Sequence, residues 1–280
     1  MLEHTICTLV TIGITLGILA FGDQITQPIS RYLPGHQHKA NTPTLGGIAI
    51  ILGFCTPLAL GLDKFLWIFG VALVSFAVGL ADDLIKITTQ DNAGMSKLLK
   101  FICMTPGIAL CVYFGFGYEC PFLFISRILF ILGGAAAMDV TDGLDGLAAL
   151  ISICILLTIS LRFPAVYNVA MPLYAATFGF LLFNLKPAKI FMGDCGSLMI
   201  GSVIASLFIQ CNFDITFITI STVPILNGIS VIARLFMIKI GLQHYKFRAP
   251  LHHQIEEYLG ETGTTSLLVL ITAILCALNI

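Results

Sequence analysis

Ten apolar runs divide the chain, at roughly residues 5–22, 44–62, 65–81, 97–116, 121–138, 146–162, 166–184, 196–211, 215–238 and 264–280. Each approaches the ~20 residues a helix needs to cross a bilayer. Most lack polar residues at helical spacing, whereas a helix of a water-soluble bundle keeps one polar face. The pattern predicts an all-α integral membrane protein of about ten transmembrane helices, with residues 1–280 forming one polytopic domain. The first run follows Glu3 and His4 with no Lys or Arg, so it is expected to be a retained helix and not a secretory signal.

The polar connections are uneven. Those at 62–64, 117–120, 163–165 and 212–214 are short, and those at 23–43, 82–96, 139–145, 185–195 and 239–263 are longer. The longer set carries Arg31, Lys39, Lys86, Lys97, Lys100, Lys186, Lys189, Arg234, Lys239, Lys246 and Arg248, against Lys64, Arg127 and Arg162 on the other side. By the positive-inside rule the longer loops are cytoplasmic and both termini lie outside, as for a multi-pass protein of a bacterial inner membrane.

Composition narrows the classes. The chain is 58% hydrophobic and 10% charged with a net charge of −1, which gives no footing for nucleic-acid binding. Its nine cysteines show no C-x-x-C pair, so structural zinc is not expected. Cys120 and Cys211 both fall on the outer side, and their spacing leaves a disulfide open. Channels and transporters place polar groups at mid-depth in the membrane, and these runs are nearly clean there. The chemistry is expected at the interface.

Charge beside apolar runs is costly in lipid, so the acids stand out. Asp82 and Asp83 are adjacent, point different ways on a helix, and are expected to have different roles, with an interfacial helix end as the plain alternative. Asp139, Asp142 and Asp145 recur every three residues, and Gly143 and Gly146 let backbone approach a ligand, although Asp and Gly also favour helix ends. Asp194 lies between Gly193 and Gly196 before an apolar run, suiting a metal or phosphate loop as well as a plain turn. Lys39, Thr44, Gly46 and Gly47 suit phosphate, or a helix start. His252 and His253, adjacent, are poor partners for one metal but could donate to phosphate. Hard carboxylate oxygens with nearby lysines point to Mg²⁺ and transfer chemistry on a diphosphate.

These motifs occur in the order HKANTPTLGG, GLADDLIK, TDGLDGLA, GFLLFNLKPAKIFMGDCGSL and APLHHQIEE. In this they resemble the polyprenyl-phosphate N-acetylhexosamine-1-phosphate transferases, above all the phospho-N-acetylmuramoyl-pentapeptide branch. The resemblance implies ten transmembrane helices, a cytoplasmic active site and a lipid bilayer setting. It implies UDP-N-acetylmuramoyl-pentapeptide and undecaprenyl phosphate as substrates, with UMP and lipid I as products of peptidoglycan synthesis; a homodimer stays open. Asp82 and Asp83 match the paired acids, Asp194 the magnesium-binding acid, and Asp142 and Asp145 the central acids. Lys39, Thr44, Lys100, Asn184, Phe191 and Gly193 match substrate-binding positions, Phe191 as a platform for uracil. His252 and His253 match the histidine block. The reaction expected is direct attack by the lipid phosphate, with Asp82 as its base or as the group that orients the dianion; a covalent aspartyl-phosphate on the same residue is the alternative.

Three positions depart from the family pattern: Ala136 and Asp139 stand where it has asparagines, and Gln254 where it has a third histidine. Two other readings follow. One is a related enzyme using another UDP-N-acetylhexosamine, and the other is a catalytically silent scaffold.

Overall fold

A computed structural model describes residues 2–22, 42–59, 65–91, 93–242 and 247–280. Among them the chain is all-helical, with no strand. The order is α1 (Leu2–Ala20), α2 (Gly46–Phe54), α3 (Thr56–Ala59), α4 (Leu66–Thr89), α5 (Lys97–Phe116), α6 (Pro121–Thr141) and α7 (Leu147–Arg162). A short 3₁₀ turn, Pro164–Val166, leads into α8 (Tyr167–Asn184), α9 (Gly193–Gln210), α10 (Ile215–Ile220), α11 (Thr222–Lys239) and α12 (Leu251–Ala277). Eight of the described helical stretches are long and apolar enough to cross a membrane, and Gly46–Leu58 and Leu147–Arg162 are shorter apolar helices. Among the described residues, each of the ten predicted runs holds a helix. This is an all-α integral membrane protein.

Two runs read as single spans are broken. Proline lacks an N–H and its ring crowds the carbonyl four residues earlier, so it ends or kinks a helix. Pro57 follows the break at Cys55, and Pro224 follows the break at Ser221 between α10 and α11. In the other direction, α4 continues past its expected end at residue 81 to Thr89. Asp82, Asp83 and Lys86 therefore sit on regular helix.

The hub is α9. It packs on α4, α6 and α2, and every residue from Cys195 to Ile209 is buried. Such burial needs close helix approach, which small residues permit in a membrane. A Cβ on Gly134 of α6 would lie 2.8 Å from the Gly201 carbonyl oxygen, and one on Gly47 of α2 would lie 2.7 Å from Gly196 Cα. Hydroxyls inside the helices bond back to the carbonyl one turn earlier, as Thr11 does to Cys7, Ser152 to Ala148 and Ser206 to Ser202. In lipid that satisfies a group no water can reach. Large apolar side chains such as Phe114, Phe122, Ile232 and Phe236 face outward, as lipid contact requires.

α12 is two helices meeting at Gly260, whose backbone (φ 67°, ψ 172°) lies in a region essentially closed to other residues. No atom would crowd a Cβ there, so conformation alone demands glycine. Gly260→Ala is expected to destabilise the protein by about 1–3 kcal/mol. Thermal unfolding in detergent checks this; an unchanged Tm would mean the break is not needed.

Candidate active site

Near its end, α4 carries Asp82 and Asp83 to the first turn of α9. Asp83 Oδ1 and Oδ2 accept the backbone N–H groups of Asp194 (3.0 Å) and Cys195 (2.9 Å). No side chain of α9's own caps this start, so Asp83 caps it from the neighbouring helix, at the positive end of its dipole. Such charge-assisted bonds are about twice as strong as neutral ones.

Asp82, one residue earlier, has other partners. It accepts the Met95 N–H, and its Oδ2 lies 2.7 Å from Lys86 Nζ and 2.9 Å from Lys100 Nζ. Both lysines also reach Asp194, Lys86 at 2.8 Å and Lys100 in direct contact. Two ammonium groups thus bridge two carboxylates from α4 and α9. The turn that covers them is tight: a Cβ on Gly94 (φ 51°) would lie 2.8 Å from Lys86 Cε. Asp82, Asp83 and Asp194 place carboxylate oxygens within 4.8 Å of one another. Three hard oxygen donors from two helices fit a divalent cation. The ammonium groups supply positive charge at the same point and would share these carboxylates with it.

Other candidates gather around this cluster. Gly193 (φ 74°) has no room for a side chain, because a Cβ there would lie 2.6 Å from Asp83 Oδ2 and 3.0 Å from Thr44 Oγ1. Thr44 is buried at that point. Phe191 is fixed by its backbone: its N–H donates to Pro43 O (2.8 Å), and its carbonyl accepts the Gly46 N–H (3.0 Å). The ring is half-buried. Asp139 accepts from Ser197 Oγ at 3.4 Å and interacts electrostatically with Asp194 and Lys100. The departure at position 139 therefore adds a fourth carboxylate facing the cluster.

The central acids have partners of their own. Asp142 ends α6. Asp145, buried, accepts the Ala188 N–H at 3.0 Å. Asn184 accepts the Gly146 N–H (3.2 Å) and donates to Ile190 O (2.9 Å), so it braces two loops. His252 is fully buried, and a Cβ on Gly143 would strike its ring. His253 Nδ1 lies 3.0 Å from Glu256. Gln254 instead accepts the Arg248 N–H and donates to Glu257, away from the acids. Lys39 falls outside the described residues. Cys120 and Cys211 are free thiols.

Three contributors escaped the sequence reading. Lys86 was visible there only as a neighbour of the acid pair. Asn227, in an apolar run, donates to Thr141 Oγ1 and accepts the His252 N–H, tying α11 to α6 and α12. Glu261 accepts the Asp145 N–H and pairs with Lys186. A carboxylate three residues before an apolar run was the one signal available for it.

Comparison with known proteins gives a consistent result. The model of glycosyl transferase family 4 matches residues 65–212. The phospho-N-acetylmuramoyl-pentapeptide-transferase of Helicobacter hepaticus is 33% identical over an alignment of 279 residues, covering 82% of this chain and 78% of that protein. Its counterpart from Helicobacter pylori strain J99 is 33% identical, covering 82% and 77%, and that of Campylobacter lari is 35% identical, covering 82% and 78%.

Proposed function

The chain belongs to the phospho-N-acetylmuramoyl-pentapeptide-transferases of glycosyl transferase family 4, and we propose that it transfers phospho-N-acetylmuramoyl-pentapeptide from its UDP-linked donor to undecaprenyl phosphate. UMP and lipid I are the products. The reaction takes place at the cytoplasmic face of a bacterial inner membrane, with both termini outside. The observation that carries this reading is the meeting of Asp82, Asp83 and Asp194 with Lys86 and Lys100, in a chain of this family.

The reaction is a displacement at phosphorus. An oxygen of the lipid phosphate attacks the phosphorus attached to the sugar. The bond from that phosphorus to the bridging oxygen breaks, and UMP leaves with the electron pair. Phosphoryl transfer depends mainly on positioning and charge neutralisation. Asp194, with Asp82 and Asp83 in reach, would hold Mg²⁺, which when bound would neutralise charge at the diphosphate. Lys86 and Lys100 serve the same end from the protein.

A phosphate monoester loses its second proton near pH ~6, so the lipid phosphate arrives largely dianionic. Asp82 already engages two ammonium groups and an N–H. Its role is to hold the lysines in place, and no proton need be removed. Asp83 holds α9, and with it Asp194, at the right height. Thr44 and Gly193 border the diphosphate, Phe191 offers its ring to uracil, and Asp142, Asp145 and Asn184 shape the sugar side; for Lys39 the substrate-binding role rests on its match to the family motif alone. His252 packs against Gly143 in the loop after Asp142, and the His253 ring lies beside that of His252.

The acceptor's hydrocarbon has a fitting surface. An apolar cavity of about 420 Å³ is lined by Gly134, Ala137 and Met138 of α6, Gly201 of α9 and Pro224 of α11. Met138 is followed directly by Asp139, which faces the acid cluster.

The test is purified protein with Mg²⁺, undecaprenyl phosphate and one UDP-sugar at a time, with UMP measured. UMP release with UDP-N-acetylmuramoyl-pentapeptide alone is expected. Release with UDP-N-acetylglucosamine in its place would reassign the donor. Release with none would make the chain a silent homologue.

A further inference from the structure

We propose that Glu261 is a positioning residue for donor binding, an inference that rests on the transferase reading above. Glu261 opens the membrane half of α12, immediately after the break at Gly260. Its side chain is only 6% exposed. Oε2 lies 2.8 Å from Lys186 Nζ, and Oε1 accepts the Asp145 N–H at 3.2 Å.

An apolar side chain of similar size would pack at this place without the desolvation penalty of a carboxylate. A buried acid at the edge of a membrane helix therefore calls for an account of what it holds. Both of these contacts lead to the donor side of the site. One is the backbone of Asp145, whose carboxylate in turn holds the Ala188 N–H at 3.0 Å. The other is Lys186, two residues after Asn184, which braces the same loops. The start of α12 is itself fixed, since the Leu251 N–H donates to Ser230 Oγ and the His252 N–H to Asn227 Oδ1. Glu261 thus ties the Asp142–Asp145 loop and the segment after α8 to an anchored helix. Binding groups keep productive geometry only when such supporting bonds hold them within about 0.5 Å.

The break at Gly260 gives Glu261 its direction. A continuous α12 would carry the residue at a different angle to the helix that begins at Leu251.

The test is steady-state UMP release by full-length protein in detergent, with each substrate titrated. Glu261→Ala is expected to raise KM for UDP-N-acetylmuramoyl-pentapeptide about tenfold, the effect of losing one well-placed hydrogen bond. KM for undecaprenyl phosphate stays within about twofold, and Tm stays within a few degrees. Glu261→Gln keeps an oxygen for the Asp145 N–H and is expected within about threefold of wild type in donor KM. A wild-type donor KM in Glu261→Ala overturns the proposal. So does an equal defect in the Ala and Gln variants, or a parallel shift of both KM values with Tm, which would mean general loosening. Should Glu261→Ala fail to accumulate, Glu261→Asp keeps the charge but draws it back from Asp145, and an unchanged donor KM there also overturns it. A wild-type protein that releases no UMP sinks the transferase reading, and this proposal with it, whatever the variants do.

Discussion

Asp194→Asn is expected to lower UMP release by about 10³-fold, the scale on which loss of one electrostatic stabiliser acts in a water-poor site. The substitution removes the charge that both lysines share and one of the three carboxylates suited to a cation. It leaves the fold alone, because Asp83 binds the backbone N–H of residue 194 and not its side chain. The variant should accumulate, purify and melt like wild type while its binding of Mn²⁺, used as a spectroscopic substitute, weakens. Near-normal turnover at ordinary Mg²⁺ concentrations would remove Asp194 from the site.

A loss about tenfold smaller is expected from a change that touches no charge. Gly79 lies on α4 one turn before the acids, against the start of α9. A Cβ there would lie 2.6 Å from both the Asp194 carbonyl carbon and Cys195 Cα. Both are backbone atoms, so no flexible side chain can yield. Gly79→Ala must push α4 and α9 apart by roughly 1 Å to restore ordinary carbon–carbon contact. That displacement separates Asp82 and Asp83 from Asp194, and a 1 Å error in positioning is enough to cost about 10²-fold in rate. Overpacking adds a stability loss of about 1–3 kcal/mol. Gly13→Ala on α1 meets nothing within 4 Å and is the control. If Gly79→Ala turns over like that control, the two helices do not meet where the structure puts them.

Much of this molecule was legible in its sequence because lipid leaves few options. A backbone in hydrocarbon must satisfy its own hydrogen bonds, so every long apolar run had to be helix. Asp82, Asp83, Asp139 and Asp194 were legible for the converse reason, as charge among oil. What stayed hidden was set by packing. That Asp83 caps α9 depends on a contact more than a hundred residues away in the chain, and Asp82 draws its second lysine from the next helix. The breaks at Cys55 and Ser221 were available from Pro57 and Pro224, yet a hydropathy window averages over them. Asn227 and Glu261 belong to no motif, and their partners come from other helices.

The pairing of α4 with α9 also bears on how the protein is made. Asp83 and its first backbone partner are separated by 111 residues. At ribosomal speeds of about 5–20 residues per second, α4 emerges some 5–20 seconds before the turn that completes it. Asp82 does not wait, because Lys86 lies four residues on along the same helix and pairs with it locally. Asp83 meets the two N–H groups that it caps only after α5, α6, α7 and α8 have been made. The binding centre is therefore a late product of biogenesis, closed only when the central helix slides in between partners already in the membrane.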